Sequence, residues 1–253
     1  GGSILNAIGG SVINAIQQRA GIWNNGTLID FGGGSANDVN NIKQENSATN
    51  GNYISMQVAG SLGSNDGAAI WLLNLYENGT NNIQQIQLPT VGVKSTATSI
   101  NDLGESVGWL QDGLGELHAA LWTDQHNLIN LGEVTSDSNS YARDINNSGL
   151  IVGYSVGGYC KNSYCATIWG SDHTATDLNS LLDESTKSAG WELIMAQAVN
   201  DSGLIVGNAF NNITGVTHAF VLTPTSAVPE PNTFSLMLFG IVSLVTYKAR
   251  RRK

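Results

Sequence analysis

This chain has little positive charge. In 253 residues, 11 Lys and Arg face 20 Asp and Glu, and five of the 11 (Lys248, Arg250, Arg251, Arg252 and Lys253) stand in the last six positions. The rest of the chain therefore sets six basic residues against all 20 acidic ones, with no basic stripe. That excludes nucleic acid as a partner, because phosphates demand clustered Lys and Arg. The acidic balance is first of all a solubility feature. Charged residues of both signs make up only 12%, a composition that favours strands and turns over surface helices. Cysteine is scarce too, with Cys160 and Cys165 standing alone in a Gly/Ser/Asn-rich loop. Together with His173 they fall one ligand short of a zinc-like set. No dense acidic loop suited to calcium occurs, and neither a nucleophilic triad nor a pair of carboxylates stands out. No catalytic residue, cofactor or metal is expected. The chain opens without an initiator Met or a signal peptide, as expected of a processed chain or a piece of a longer one.

What the chain has in abundance is Gly, Asn and Ser, arranged in a repeat. Arg143-Asp144-Ile145-Asn146-Asn147-Ser148-Gly149-Leu150-Ile151-Val152-Gly153 reads as a strand, a tight turn and a second, doubly apolar strand. The phrase returns as Ile100-Asn101-Asp102-Leu103-Gly104 and as Val199-Asn200-Asp201-Ser202-Gly203-Leu204-Ile205-Val206-Gly207. Asp102, Asn147 and Asp201 read as turn formers, with Gly in the left-handed position that follows. A third strand carries Trp: Ile22-Trp23, Ile70-Trp71, Leu121-Trp122 and Ile168-Trp169, with Val221-Leu222 in the last copy. The steps between these positions are 48, 51, 47 and 53 residues. A closing strand follows, as in Asn130-Leu131-Gly132 and Asp177-Leu178-Asn179. Asn24-Asn25-Gly26 between apolar-alternating runs signals a hairpin. The first copy, residues 1–14, is worn, Val39-Asn40-Asn41 is a degenerate turn, and Tyr53 to Gly67 reads as a polar elaboration. Leu178, Leu181 and Leu182 have helical spacing and predict one short helical turn, after which Trp191 to Met195 resumes as a strand.

Four strands per step, with both faces of Leu150–Val152 apolar, need a neighbouring sheet on each side. The expected fold is all-β: a propeller-like array of about five four-stranded blades over residues 1–226, followed by a short hydrophobic helix. A stacked β-solenoid is the rival architecture. Closure of the array stays open, since the last unit stops after its third strand.

The units resemble the HAF extracellular repeat family, named for the tripeptide present here as His218-Ala219-Phe220. His118-Ala119-Ala120 keeps only part of it. The resemblance implies an exported, repeat-built bacterial protein and brings no catalytic residues with it.

Residues 227–253 are different in kind. Val228-Pro229-Glu230-Pro231 precedes an apolar run that includes Phe234, Leu236, Leu238, Phe239, Ile241, Val242, Leu244 and Val245, and the basic cluster from Lys248 ends the chain. The three parts in this order resemble a PEP-CTERM sorting signal. As a helix, the 14 residues from Phe234 to Tyr247 span about 21 Å at 1.5 Å each, short of a hydrocarbon core of about 30 Å. Flanking residues and snorkelling Lys248 and Arg250 narrow the gap, and the basic cluster should stay cytoplasmic. The resemblance implies an exosortase-type processing enzyme and the inner membrane as partners. It also implies delivery to the surface or matrix of a Gram-negative-type bacterium, alongside extracellular polysaccharide. A permanent single-span anchor is the alternative. In an exported protein Cys160 and Cys165 are expected to form a disulfide.

Two tempting sites have plainer readings. Gly153-Tyr154-Ser155-Val156-Gly157 fits a nucleophile elbow, but no helix follows and the glycine belongs to the repeat. His118 and His218 recur at equivalent repeat positions, as structural hydrogen-bonders would, while His126 and His173 lie near turns. The expected role is structural or binding. A lectin-like carbohydrate-binding module is the alternative, with Tyr53, Tyr76, Tyr154 and Tyr159 as aromatic platforms.

Overall fold

Period-two alternation broken by Asn-, Asp- and Gly-containing turns makes this chain a succession of antiparallel strands. The computed structural model describes residues 8–14, 17–24, 26–47, 51–63, 67–123, 127–135, 139–158, 160 and 162–224, with side chains from residue 19 on. The chain divides into Gly1–Leu222 and Thr223–Lys253, and every element described belongs to the first unit. The apolar tail expected as a helix lies outside the described residues, and among those residues no helix is long and apolar enough to cross a membrane.

The strands are β1 (Ile8–Asn14), β2 (Gln17–Asn24), β3 (Thr27–Val39), β4 (Lys43–Ser47), β5 (Gly51–Leu62), β6 (Gly67–Tyr76), β7 (Asn81–Gln87), β8 (Lys94–Ile100) and β9 (Ser106–Gln111). There follow β10 (Leu117–Trp122), β11 (Leu128–Asn130), β12 (Asn139–Ile145), β13 (Ile151–Val156), β14 (Tyr164–Trp169) and β15 (Ala175–Asp177). A 3₁₀ turn (Leu178–Leu181) and the helix α1 (Glu184–Ser188) then lead to β16 (Trp191–Val199), β17 (Ile205–Asn211) and β18 (Val216–Leu222). They form four antiparallel sheets, none of them closed into a barrel. β8 to β11 and β12 to β15 are four-stranded meanders, and β16 to β18 is a three-stranded one.

The first sheet departs from the expected four-strand unit. It has seven strands, because β3 serves as the last strand of one repeat and the first of the next. Its first half pairs with β2 and its second half with β5. Gly32-Gly33-Gly34 carries the strand across, with φ of 101° at Gly32 and 137° at Gly34. In later repeats a loop does this job.

Tyr53 to Gly67 is not a polar elaboration. Residues 51–62 are β5, and Val58-Ala59-Gly60 occupies the second-strand place, with Val58 and Ala59 fully buried. The inserted part is β4 and the outer half of β5, which pair from Lys43↔Ser55 to Ser47↔Gly51. The polar hairpin had displaced the repeat glycine from its usual distance after the turn.

The sheets pack face to face in chain order. Phe31 of β3 stacks on Trp71 of β6 at 5.6 Å, within a core that also holds Ile22 and Leu73. Ala59, Ala68 and Ile70 of the first sheet meet Ile100, Ala120 and Trp122 of the second. Val107, Ala119 and Leu121 then meet Ile145, Ile151 and Trp169. Val152, Ala166 and Leu178 meet Leu193, Ala196 and Ile205. Trp71, Trp122 and Trp169 each fill the interface with the preceding repeat, where the small residues of its neighbour leave room. The indole N–H of Trp122 donates to the Pro89 carbonyl (2.8 Å) and that of Trp169 to the Gly132 carbonyl (3.3 Å), both in the preceding repeat.

The helical turn expected after Asp177 is there, with α1 beyond it. Asp177 caps the first by accepting from the Asn179 N–H (2.8 Å), and Asp183 caps the second by accepting from the Thr186 N–H (2.9 Å).

Candidate functional site

The turns that mark the repeat form a hydrogen-bonded ladder from sheet to sheet. In each, the first Asn closes its own loop: Asn146 Oδ1 accepts from the N–H groups of Ser148 and Leu150, both at 3.0 Å. The other face of the same side chain reaches outward. Asn40 Nδ2 donates to the Asn101 carbonyl (3.4 Å), Asn101 Nδ2 to the Asn146 carbonyl (3.1 Å) and Asn146 Nδ2 to the Asn200 carbonyl (2.9 Å). Asp102, Asn147 and Asp201 do more than form turns. Asp102 accepts from the Asn41 N–H (2.8 Å) and from Nδ2 of both Asn41 (2.7 Å) and Asn147 (2.9 Å), and Asp201 accepts from the N–H and Nδ2 of Asn147. The bonds from Asn41, first of all its side chain, and then from Asn147 hold the Asp102 carboxyl below its usual pKa.

A second periodic feature builds a cleft. In the first strand of each repeat the pairing skips one residue directly after an alanine: Asn37 after Ala36, Thr98 after Ala97, Arg143 after Ala142 and Gln197 after Ala196. These are β-bulges, which re-aim a side chain and strengthen local twist. Each alanine pairs with the repeat glycine of the second strand: Gly60, Gly108, Gly153 and Gly207. The glycine is required by close approach, since a Cβ on Gly153 would lie 1.9 Å from the Tyr141 carbonyl oxygen, and the other three are equally tight. All four bulge residues line one polar cleft of about 550 Å³, together with Thr96 and Trp109. Asn37 Nδ2 donates to the Ala97 carbonyl (2.8 Å), Thr98 Oγ1 to the Ala142 carbonyl (2.9 Å) and an Arg143 guanidinium N–H to Gln197 Oε1 (3.3 Å). The cleft thus offers amide, hydroxyl and guanidinium groups, held by bonds that run from repeat to repeat.

Trp109 also begins an aromatic row. It meets Tyr141 edge-on at 6.4 Å, Tyr141 stacks on Tyr154 at 4.8 Å, and Tyr154 lies 6.0 Å from Tyr164. Burial raises the phenol pKa of both Tyr141 and Tyr154. Of the expected platforms, Tyr154 therefore stands in this row. Tyr53 and Tyr76 pair with each other at 5.1 Å on the β5–β6 extension, and Tyr159 lies outside the described residues. The row's other members and the four bulge residues escape a reading of apolar period alone. Their signal was the alanine that precedes a changing residue in each copy.

Cys160 and Cys165 are joined by a disulfide. Ser155 lies buried in mid-strand with its Oγ accepting from Thr167 Oγ1 (3.0 Å), and among the described residues β13 is followed by β14 rather than by a helix. The two repeat histidines differ. His118 sits between Glu133 (Nδ1 to Oε1, 2.5 Å) and Asp112 (Nε2 to Oδ2, 3.5 Å). Burial draws its pKa down, but the hydrogen bonds to Glu133 and Asp112 outweigh burial and the net shift is upward. His218 is exposed and rests against Trp191 at 5.1 Å. Asp112, Glu116 and His118 bring three ligand-type atoms within 4.8 Å of one another, with Asp112 already accepting from the N–H groups of Leu114 and Glu116 in its own turn. His173 lies in a turn at φ 58°, and His126 lies outside the described residues.

Residues 227–253 match the family of the PEP-CTERM protein-sorting motif. The match takes in Val228-Pro229-Glu230-Pro231, the apolar run and the basic cluster. A signal of this kind directs export with transient anchoring in the membrane and processing by an exosortase-type system. No curated protein and no solved structure matches the chain.

Proposed function

We propose that this is an exported repeat protein with a structural or binding role in the bacterial envelope or extracellular matrix, and that it is not an enzyme. The observation that carries this reading is the sorting tail joined to a body made of one repeated β unit. In the body the recurring polar residues are spent on joining repeat to repeat. We read the units as HAF-type repeats and their sheets as propeller-like blades, supported by the face-to-face order of the sheets and by first strands that line a common cleft. The apolar run Phe234–Tyr247 acts as the transient membrane helix, with Lys248, Arg250, Arg251, Arg252 and Lys253 as its cytoplasmic stop. The exosortase-type enzyme cuts near Pro229-Glu230-Pro231, and the released body joins the surface or matrix beside extracellular polysaccharide.

The test is to express the chain in an exosortase-bearing bacterium and weigh the surface-released protein intact. Loss of the Phe234–Lys253 segment is expected. Release with that segment retained would sink the sorting step and leave a plain anchor.

The cleft favours one second reading, a carbohydrate-binding module. Amide and hydroxyl groups suit sugar hydroxyls, and Trp109 with its tyrosine row offers apolar ring faces against which a pyranose can lie. A glycan array probed with the purified full chain decides this: absence of binding at high micromolar protein removes it.

A further inference from the structure

Among the described residues, each repeat has a forward face, which in all but the last receives the next repeat, and a backward face, which carries the Trp position (Leu222 in the last sheet). Three positions define the forward face: the residue before the repeat glycine, and the residues three and one before the Trp position. In the second repeat of the first sheet these are Ala59, Ala68 and Ile70; in the next sheet Val107, Ala119 and Leu121; in the third Val152, Ala166 and Ile168. All three sets pack on the sheet that follows. In the last sheet the same positions are Val206, Ala219 and Val221. Here Val206 is 40% and Val221 62% exposed, where Val107 and Val152 are fully buried.

The opposite end of the array is open in the complementary sense. Trp71, Trp122 and Trp169 are buried to within 1%, each against the preceding repeat, but Trp23 is 45% exposed. It lies across from Leu28 on the face of the first sheet that points away from the next repeat. The ladder of turns ends open as well. Asn40, Asn101 and Asn146 are buried and each passes its amide to the next turn, while Asn200 is exposed and supplies only its carbonyl to the ladder.

We propose that a second copy of this chain docks head to tail, the Trp23 face of its first sheet covering the Val206–Ala219–Val221 face of the last sheet. The contact continues an interface that the chain already makes between its own repeats. It uses the same positions, a Trp seated over small and branched residues. Both faces are open in one and the same chain, so the chain's own first sheet is not the occupant of its last. An interface of this kind is heterologous and propagates into rings or filaments. Such growth is consistent with a matrix component, although the proposal rests on the packing and not on the export reading.

Crosslinking of the full chain in mild detergent tests it. Cys160 and Cys165 are already joined, so engineered thiols are the reactive ones. Chains carrying Trp23→Cys and chains carrying Val221→Cys are mixed and oxidised, and a covalent heterodimer is expected. The control pairs Trp23→Cys with Leu114→Cys, an exposed site on the β9–β10 turn that lies outside both faces. A heterodimer no more abundant than in that control overturns the proposal. So does a chain carrying both Trp23→Cys and Val221→Cys that joins them internally and never between copies, since the occupant would then be its own first sheet. Adding Val206→Glu should abolish the heterodimer while leaving the far-UV circular dichroism unchanged. Undiminished crosslinking in that variant also overturns the docking, because the encounter would then owe nothing to this face. All the exchanged positions are exposed, so each variant is expected to fold.

Discussion

The side-chain amide of Asn101 donates to the main-chain carbonyl of Asn146, one repeat further on, at 3.1 Å. Asn146 passes the same bond to Asn200 at 2.9 Å while its Oδ1 holds its own turn together. One buried side chain thus serves two repeats. Asn146→Ala removes an acceptor for two main-chain donors and the donor for a third group, so a loss of about 2–4 kcal/mol is expected. Asn200→Ala, at the exposed end of the ladder, should cost only about 1 kcal/mol. Urea unfolding of the two variants checks the ordering, and equal losses would show that the step between repeats contributes nothing.

Gly153 pairs with Ala142, beside the bulge that turns Arg143 into the cleft. A methyl group there meets the Tyr141 carbonyl at 1.9 Å, a backbone contact that no rotamer relieves. Gly153→Ala is therefore expected to cost about 3 kcal/mol, at the severe end for an added methyl group. Thermal denaturation gives the cost. If the variant is as stable as the parent, the strands can separate at the bulge without penalty and the glycine has another reason to be there.

Much of this architecture could be read from residues alone, because the signals were local. Trp at near-constant steps, the Asn-Asp-Ser-Gly turns and the doubly apolar Ile151-Val152 marked strands, turns and the need for neighbours on both faces. Other features depend on pairing between distant segments and leave little local trace. The continuous β3 is one: positive φ at Gly32 and Gly34 lets the strand pass from one pairing partner to another. The bulges are another. A skipped residue interrupts the two-residue period in a way that looks like noise in a single copy. Only the alignment of Ala36-Asn37, Ala97-Thr98, Ala142-Arg143 and Ala196-Gln197 shows it. Asp102 and Asn147 looked complete as turn formers, and nothing in their own repeat indicated that their side chains bind the next.

If the cleft binds glycans, Arg143→Ala and Trp109→Ala should each weaken binding while leaving stability little changed. Removing a guanidinium donor or a stacking face costs about 1–2 kcal/mol, a rise in Kd of roughly 5- to 30-fold. Titration calorimetry with any glycan retained on the array measures it. Lys94→Ala, outside the cleft lining, should leave Kd unaltered, and a loss in Lys94→Ala equal to that in Arg143→Ala would point to general charge instead.

The disulfide closes a very short loop, and the chain-entropy account assigns it about 2 kcal/mol. Cys160→Ser with Cys165→Ser is expected to lower unfolding stability by that order. Thiol titration of native, oxidised protein should find no free thiol. Two free thiols would remove the bond, and the stability assigned to it with them.

His118 and Asp102 limit stability from opposite sides. The folded His118 binds its proton more tightly than the unfolded chain does, where histidine titrates near 6.5. Its contribution is complete below about pH 6.5 and is lost as pH rises through the raised folded value. The folded Asp102 holds its proton less tightly than an unfolded aspartate, so its contribution is present above about pH 4 and is lost as pH falls through the lowered value. Melting temperature followed across pH should accordingly decline on both sides of a plateau. His118→Gln should flatten the alkaline decline, and Asp102→Asn should lessen the acid one without abolishing it, because Asp30, Asp172 and Asp183 are also held below their usual pKa; an amide in either place no longer exchanges a proton. If His118→Gln flattens neither limb, the bonds to Glu133 and Asp112 are as strong to the neutral ring as to the charged one. The charge on His118 would then have no part in holding β10 to the turn at Asp112 and the loop at Glu133.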